Sequence, residues 1–240
     1  LRFNGTGTGD IDRVKIPLDA PARPVDVGSG NFTIEFWMKT SAGNASGSCV
    51  GGGDGWINGN ILVDRDVFGG GDVGDFGISL FGGGGGLAFG LAQGNSGNTI
   101  CGSADVADGA WHHVAAVRSG TTMRLFVDGV LDASGSGPAG DVSYRNGRAT
   151  SWPDSDPFLV LGAEKHAAGA AYPSFHGWLD ELRVSSSARY AAGFTPPSAA
   201  FTTDPATAAL YHFDEGNGLA VFDTSLASGG PSHGARRVGG

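Results

Sequence analysis

Hydrophobic side chains recur at every second position in run after run of this chain, and a period of two belongs to strands that bury one face and wet the other. Phe32, Ile34, Phe36 and Met38 share a face, with Thr33, Glu35, Trp37 and Lys39 opposite. Phe76, Ile78 and Leu80 repeat the pattern, as do Leu87, Phe89 and Leu91. The glycine run at 82–86 between them reads as a hairpin connection, since no helix pattern or Lys-Ser/Thr follows to make it a phosphate cradle. The sharpest local signal is MRLFVDGVLDAS, residues 123–134, where two alternating runs meet at Asp128-Gly129, a pair suited to a type I′ turn. Further strands are expected over 13–16, 61–66, 111–118, 158–161, 175–184 and 209–213, with at most a brief helical turn near 185–188. Leu179 is out of phase with Leu182 and Val184, which predicts a bulge or a strand covered on both faces.

Many short strands and few helical patterns predict an all-β fold, a two-sheet antiparallel β-sandwich. A length of 240 residues suits one domain, 1–240, around a shared core, and 44 glycines with 11 prolines supply its turns. The irregular stretches 41–60 and 135–157 must then be rim loops, where a rigid scaffold carries function. Fifteen Lys+Arg against 24 Asp+Glu give a net charge of −9, which repels phosphate backbones and argues against nucleic acid as a partner. No segment approaches the ~20 apolar residues of a membrane span, and Leu1 opens without a signal-peptide pattern, so the chain reads as a mature or excised soluble fragment. Cys49 and Cys101, with no neighbouring His or Cys to complete a metal site, read as a disulfide formed in an oxidising compartment; two separate reduced thiols are the alternative.

The segments LRFNGTGTGDIDRVKIP, FTIEFWMKT, WHHVAAVRSGTTMRLFVDGVLDASG and FHGWLDELRVSSSARY occur in this order, and together they resemble the bacterial branch of the laminin G-like, concanavalin A-like family. The resemblance implies a two-sheet jelly roll of a secreted or cell-surface protein, binding glycans or extracellular proteins, often with a structural calcium ion. The tail, 204–240, is similar to a segment frequent in such proteins. It reads as a cap on this sandwich or as the start of a following repeat.

The fold hosts lectins, hydrolases and adhesion modules alike, so the residues must decide. A retaining glycosidase needs two carboxylates about 5 Å apart, yet Glu occurs only at 35, 164, 181 and 215, with no Glu-x-Asp-x-Glu run. Glu35 is the least poor catalytic candidate, against a solvated or ion-paired role. Nucleophile-elbow, Walker A and His-Glu-x-x-His motifs are absent. His112 and His113 point to opposite faces of a strand and read as a structural pair. For calcium, which favours several hard oxygen ligands, the candidates are Asp10, Asp12, Asp180 and Glu181, with Asp214, Glu215 and Asp223 as the competing set; turn capping or pairing with arginine is the plainer reading. For sugar recognition, Tyr144, Arg145, Asn146, Arg148, Trp152, Asp154 and Asp156 crowd one loop, with Tyr172 and Trp56 in two others, unless these tryptophans plug the core. Trp37, Trp111 and Trp178 are expected in the core. The sequence thus points to a carbohydrate-binding or adhesive module. A self-assembling structural domain is the alternative, and a polysaccharide hydrolase or lyase the third reading.

Overall fold

The structure, a computed structural model, describes residues 1–5, 12–41, 47–67, 74–82, 85–144, 152, 154–167, 169 and 171–237. Among the described residues the strands are β1 (Arg2–Asn4), β2 (Arg13–Pro17), β3 (Phe32–Lys39), β4 (Asn60–Asp64), β5 (Asp75–Leu80), β6 (Leu87–Gln93), β7 (Ser96–Cys101), β8 (Trp111–Ser119), β9 (Thr122–Val127), β10 (Val130–Ser136), β11 (Phe158–Leu161), β12 (His176–Ser185), β13 (Thr207–Tyr211), β14 (Ala220–Val221) and β15 (Gly234–Arg237). They form two antiparallel sheets. The first runs β1-β12-β3-β8-β9-β10 with β13 also on β12, and the second runs β14-β15-β2-β11-β4-β5-β6-β7. The tail thus contributes to both sheets, β13 pairing with β12 and β15 with β2.

The core is built from the alternating positions. Phe32, Ile34, Phe36 and Met38 of β3 meet Phe76, Ile78, Leu80, Leu87, Phe89 and Leu91 across the interior, and Phe32 packs 4.9 Å from Phe76 between ring centres. Val127 pairs with Val130 around Asp128 (φ 50°) and Gly129 (φ 77°), the two positive values that a type I′ turn demands. Gly129 leaves no room for a side chain, because Phe194 O lies where its Cβ would stand. The phase error at Leu179 is a bulge: the pairing of β12 with β3 shifts between Asp180 and Arg183, and Glu181 adopts φ 52°. Beyond the bulge, Leu182–Ser185 are buried on both faces of the strand.

Ser185 ends β12 and residues 186 and 187 are bends, and the helical turn among the described residues is Gly55–Asn58. β7, absent from the strands expected from the sequence, is an edge strand. Its glycines and polar residues hid a strand stabilised by six register partners on β6.

Candidate functional site

Each sheet has an outer face turned from the core, and each is crossed by a covering segment. On the second sheet this is the stretch 48–59. Cys49 is disulfide-bonded to Cys101 at the end of β7, with Cα atoms 5.8 Å apart. Gly52 N donates to Thr99 O at 3.1 Å, and Thr99 Oγ1 donates to Gly53 O at 2.9 Å. Trp56 then lies flat on β5 and β6, its ring filling the positions where Gly77 and Gly90 would carry a Cβ. It is 1% exposed and packs with Ile61, Phe81 and Ala88. The expectation that Trp56 contacts ligand is therefore corrected: two side-chain-free positions on adjacent strands make a slot that an indole fills, and burial there removes it from solvent.

On the first sheet the cover is the strap 186–206. It leaves β12, is tied to β3 by Thr33 Oγ1 donating to Ser187 O at 2.8 Å, and reaches the β9–β10 turn, where Phe194 N donates to Gly129 O at 2.9 Å. Tyr190 and Phe194 stack at 3.5 Å over Phe126, Ala115 and Val117. Beneath it Glu35 is fully buried. Its Oε1 accepts from Arg183 Nε at 2.9 Å, its Oε2 accepts from the Tyr190 hydroxyl at 2.7 Å, and His113 Nε2 lies 3.3 Å away. Burial pushes its carboxyl up, but contacts with His113, Arg183 and Tyr190 prevail and hold it below the usual range. Glu35 is thus an ion-paired carboxylate closed off from solvent. His112, on the other side of β8, is held by Asp128 at 2.8 Å and Asp108 at 3.1 Å, so the two histidines are a structural pair.

The strap does not cover the whole face. Returning toward β12 over residues 197–200, it forms one wall of an open groove of about 370 Å³, floored by Trp37, Trp111, Asp180 and Glu181. Trp37 and Trp111 stand diagonally on neighbouring strands, since Lys39 pairs with Trp111 and Trp37 with His113. Diagonal neighbours on one face lie within reach of large aromatic side chains. Trp111 is 42% exposed, while Trp37 and Trp178 are partly exposed. The expected core burial of these three tryptophans is corrected by phase: they occupy the positions alternating with Phe36, Val114 and Leu179, which point inward. Glu181 accepts from Phe201 N at 2.7 Å and lies 2.8 Å from His212 Nδ1, which fixes the strap's return. Burial, with Glu181 and Asp214 nearby, raises the Asp180 carboxyl above its ordinary value against the pull of the Leu1 amino group.

The expected sugar rim is only partly assembled. Trp152 is 48% exposed and its ring lies 6.2 Å from His166. Asp154 is exposed and its carbonyl accepts from Lys15 at 3.0 Å. Tyr144 instead packs against the core, and Tyr172 sits in its own turn, bonded to Gly169. Arg145, Asn146 and Arg148 lie outside the described residues.

Among the described residues the expected calcium ligands do not gather in one group. Asp12 accepts from Asn4 N at 2.9 Å and lies 3.4 Å from Arg236; Asp180 and Glu181 floor the groove; Asp10 lies outside the described residues. Of the competing set, Asp223 accepts from Leu210, Ser225 and Ser232 backbone N–H groups, and Glu215 from Phe222 N. Among the described residues the one tight group of possible metal-binding side chains is Asp66, Glu164 and His166, beside Asp156 on the Trp152 rim. His166 Nε2 lies 2.6 Å from Asp156, and Nδ1 lies 3.1 Å from Glu164 and 3.4 Å from Asp66. Burial works against its charge, but hydrogen bonds to Asp66, Glu164 and Asp156 push the imidazole up to about 10. Below it, burial raises the Asp64 carboxyl and lowers the Lys165 ammonium, each resisted by the other. Neither His166 nor its carboxylates formed a recognisable motif, because they come from three segments separated by up to a hundred residues.

Comparison of the fold finds a candidate carbohydrate-binding protein from Bacteroides ovatus, with a TM-score of 0.60, 19% identity, and 99% of this chain matched to 59% of that one. This chain therefore spans well under two thirds of that protein. A heptameric SAP-like pentraxin from Limulus polyphemus matches with a TM-score of 0.51 and 18% identity over 98% of this chain and 93% of its own. The carbohydrate-binding module CBM40 of an IT-sialidase from Ruminococcus gnavus matches with a TM-score of 0.51 and 16% identity over 79% and 92%. At these identities the likeness establishes shared architecture. Sequence comparison with curated proteins finds no match. A family model does match, over residues 9–192, and by that match the chain belongs to the concanavalin A-like lectin/glucanases superfamily.

Proposed function

We propose that this domain is a non-catalytic carbohydrate-binding module acting outside the cell, and that sugar docks in the groove between Trp37 and Trp111. The observation that carries this reading is an uncovered pair of indoles beside carboxylates on a face that the strap otherwise closes. Indole faces take the apolar patches of sugar rings, and carboxylates accept from their hydroxyl groups. The shared architecture with a candidate carbohydrate-binding protein and with a carbohydrate-binding module supports it. The disulfide supports an oxidising, extracellular setting. The closure of Glu35 under the strap supports a binding role over a hydrolase or lyase, because substrate cannot reach the carboxylate. The test is a glycan array followed by titration of the best ligand: Trp111→Ala should weaken binding about tenfold or more, and an unchanged affinity defeats the reading.

A second reading, docking onto a protein or another copy of the chain, is favoured by Leu219, Phe222 and Leu226, which are exposed on the C-terminal segment. Concentration-dependent sedimentation separates it from the first.

The carboxylate group of the Trp152 rim is not read as a calcium site. Calcium favours six to eight oxygen ligands, whereas His166 fills the centre of the rim's carboxylate group and supplies the positive charge itself. The residues as arranged do not fit the ion. Melting temperature should be unmoved by EDTA and by added calcium. The imidazole's elevated value has a definite sign: its stabilisation is complete below the unfolded value of about 6.5 and is lost as pH rises towards the folded value of about 10. Melting curves should therefore fall from pH 6.5 upward, and His166→Gln should flatten that fall.

A further inference from the structure

We infer that the groove selects glycans bearing a positive charge, oligosaccharides of free amino sugars, over neutral or sialylated ones. This rests on the reading of the groove as the sugar site and adds its charge preference. The two charged groups lining the groove are both carboxylates, Asp180 and Glu181, and Asp214 adds its charge to theirs. Of the nearby cations, Arg183 is engaged with Glu35 and Arg2 lies over the Trp178 ring at 5.3 Å, while His212 beside Glu181 and the Leu1 amino group near Asp180 offset only part of the charge of Asp180, Glu181 and Asp214. Lys39, cross-strand from Trp111, does not line the groove. A partly buried carboxylate whose proton is held more tightly than usual gains most from an incoming cation, and Asp180 is in that position. The indoles add to the selection, because an aromatic face attracts an ammonium group as well as an apolar ring. An anionic sugar meets the opposite: two carboxylates, two electron-rich faces and a chain carrying a net charge of −9.

The test is calorimetric titration at about pH 6, where the amine groups of the first probe carry charge, with three probes: a glucosamine tetramer, its fully N-acetylated counterpart and 3′-sialyllactose. The expected result is that the glucosamine tetramer binds about tenfold or more tighter than the acetylated one, with sialyllactose weakest. Asp180→Asn should weaken the glucosamine tetramer more than the acetylated one and so narrow that gap, and high salt should narrow it in the unaltered protein. Should Asp180→Asn fail to fold, the three-probe ranking and its salt dependence decide alone. Equal binding of acetylated and free tetramers, or a preference for sialyllactose, overturns the charge selection and leaves the glycan reading standing. If neither these probes nor any glycan on the array binds, both fall.

Discussion

The two outer faces of the sandwich are covered by the same device, a long connection laid across the strands, yet one is sealed and the other is left open. On the second sheet the tryptophan belongs to the cover, and the strands beneath it offer Gly77 and Gly90, so Trp56 lies flat and its ring is buried. On the first sheet the tryptophans belong to the strands, and the cover above Asp180 and Glu181 is Pro197 to Ala200, too small to close over two indoles. The difference teaches that a binding surface here depends on which layer holds the aromatic side chain. A large ring set into a glycine floor completes packing, whereas a large ring standing on the sheet under a thin cover remains available to a ligand.

The comparison can be broken first at its sealed side. Trp56→Ala should cost about 3–5 kcal/mol in urea unfolding, since it empties a slot that no neighbouring side chain can fill. A loss below about 1 kcal/mol would show that the turn is not packed as described. The buried charge under the strap comes next. Glu35→Gln leaves Arg183 and Arg189 close to an uncharged partner, and about 3 kcal/mol should be lost, with the strap becoming open to proteolysis. An intact strap in that variant would mean that the stacked Tyr190 and Phe194 alone hold it. The smallest stability effect belongs to the open side. Trp111→Ala should shift unfolding by no more than about 0.5 kcal/mol, because the ring is nearly half exposed, while ligand affinity falls. A large loss of stability there would return Trp111 to the core and close the groove as a candidate.

Much of the fold was legible in the sequence because the relevant signal is local. The alternation in β3, β5, β6 and β9 names the inward residues, and Asp128-Gly129 names the turn, since backbone preference and side-chain period act within a few residues. Leu179 shows the limit of that reading. Its phase error announced an irregularity, but only the pairing of β12 with β3 shows a bulge at Glu181, next to the Asp180 that lines the groove. The site was less legible. Trp37 shares a face with Glu35 and Lys39, a signal that it lies outside the core. That face, however, also holds the fully buried Glu35, and the alternation cannot say which outward positions a distant strap will cover.

The sequence by itself determined the alternation of the strands and the hairpin at Asp128-Gly129, because each follows from short-range geometry, while the structure settled that Cys49 and Cys101 are joined. The tertiary structure alone decided that Trp56 is sealed, that Glu35 is locked among cations, that His166 is surrounded by carboxylates from separate loops, and that Trp37 and Trp111 face an open groove. Those outcomes depend on which remote segment lies over which outward side chain. Contact across such distances along the chain is set by the packing of the whole sandwich.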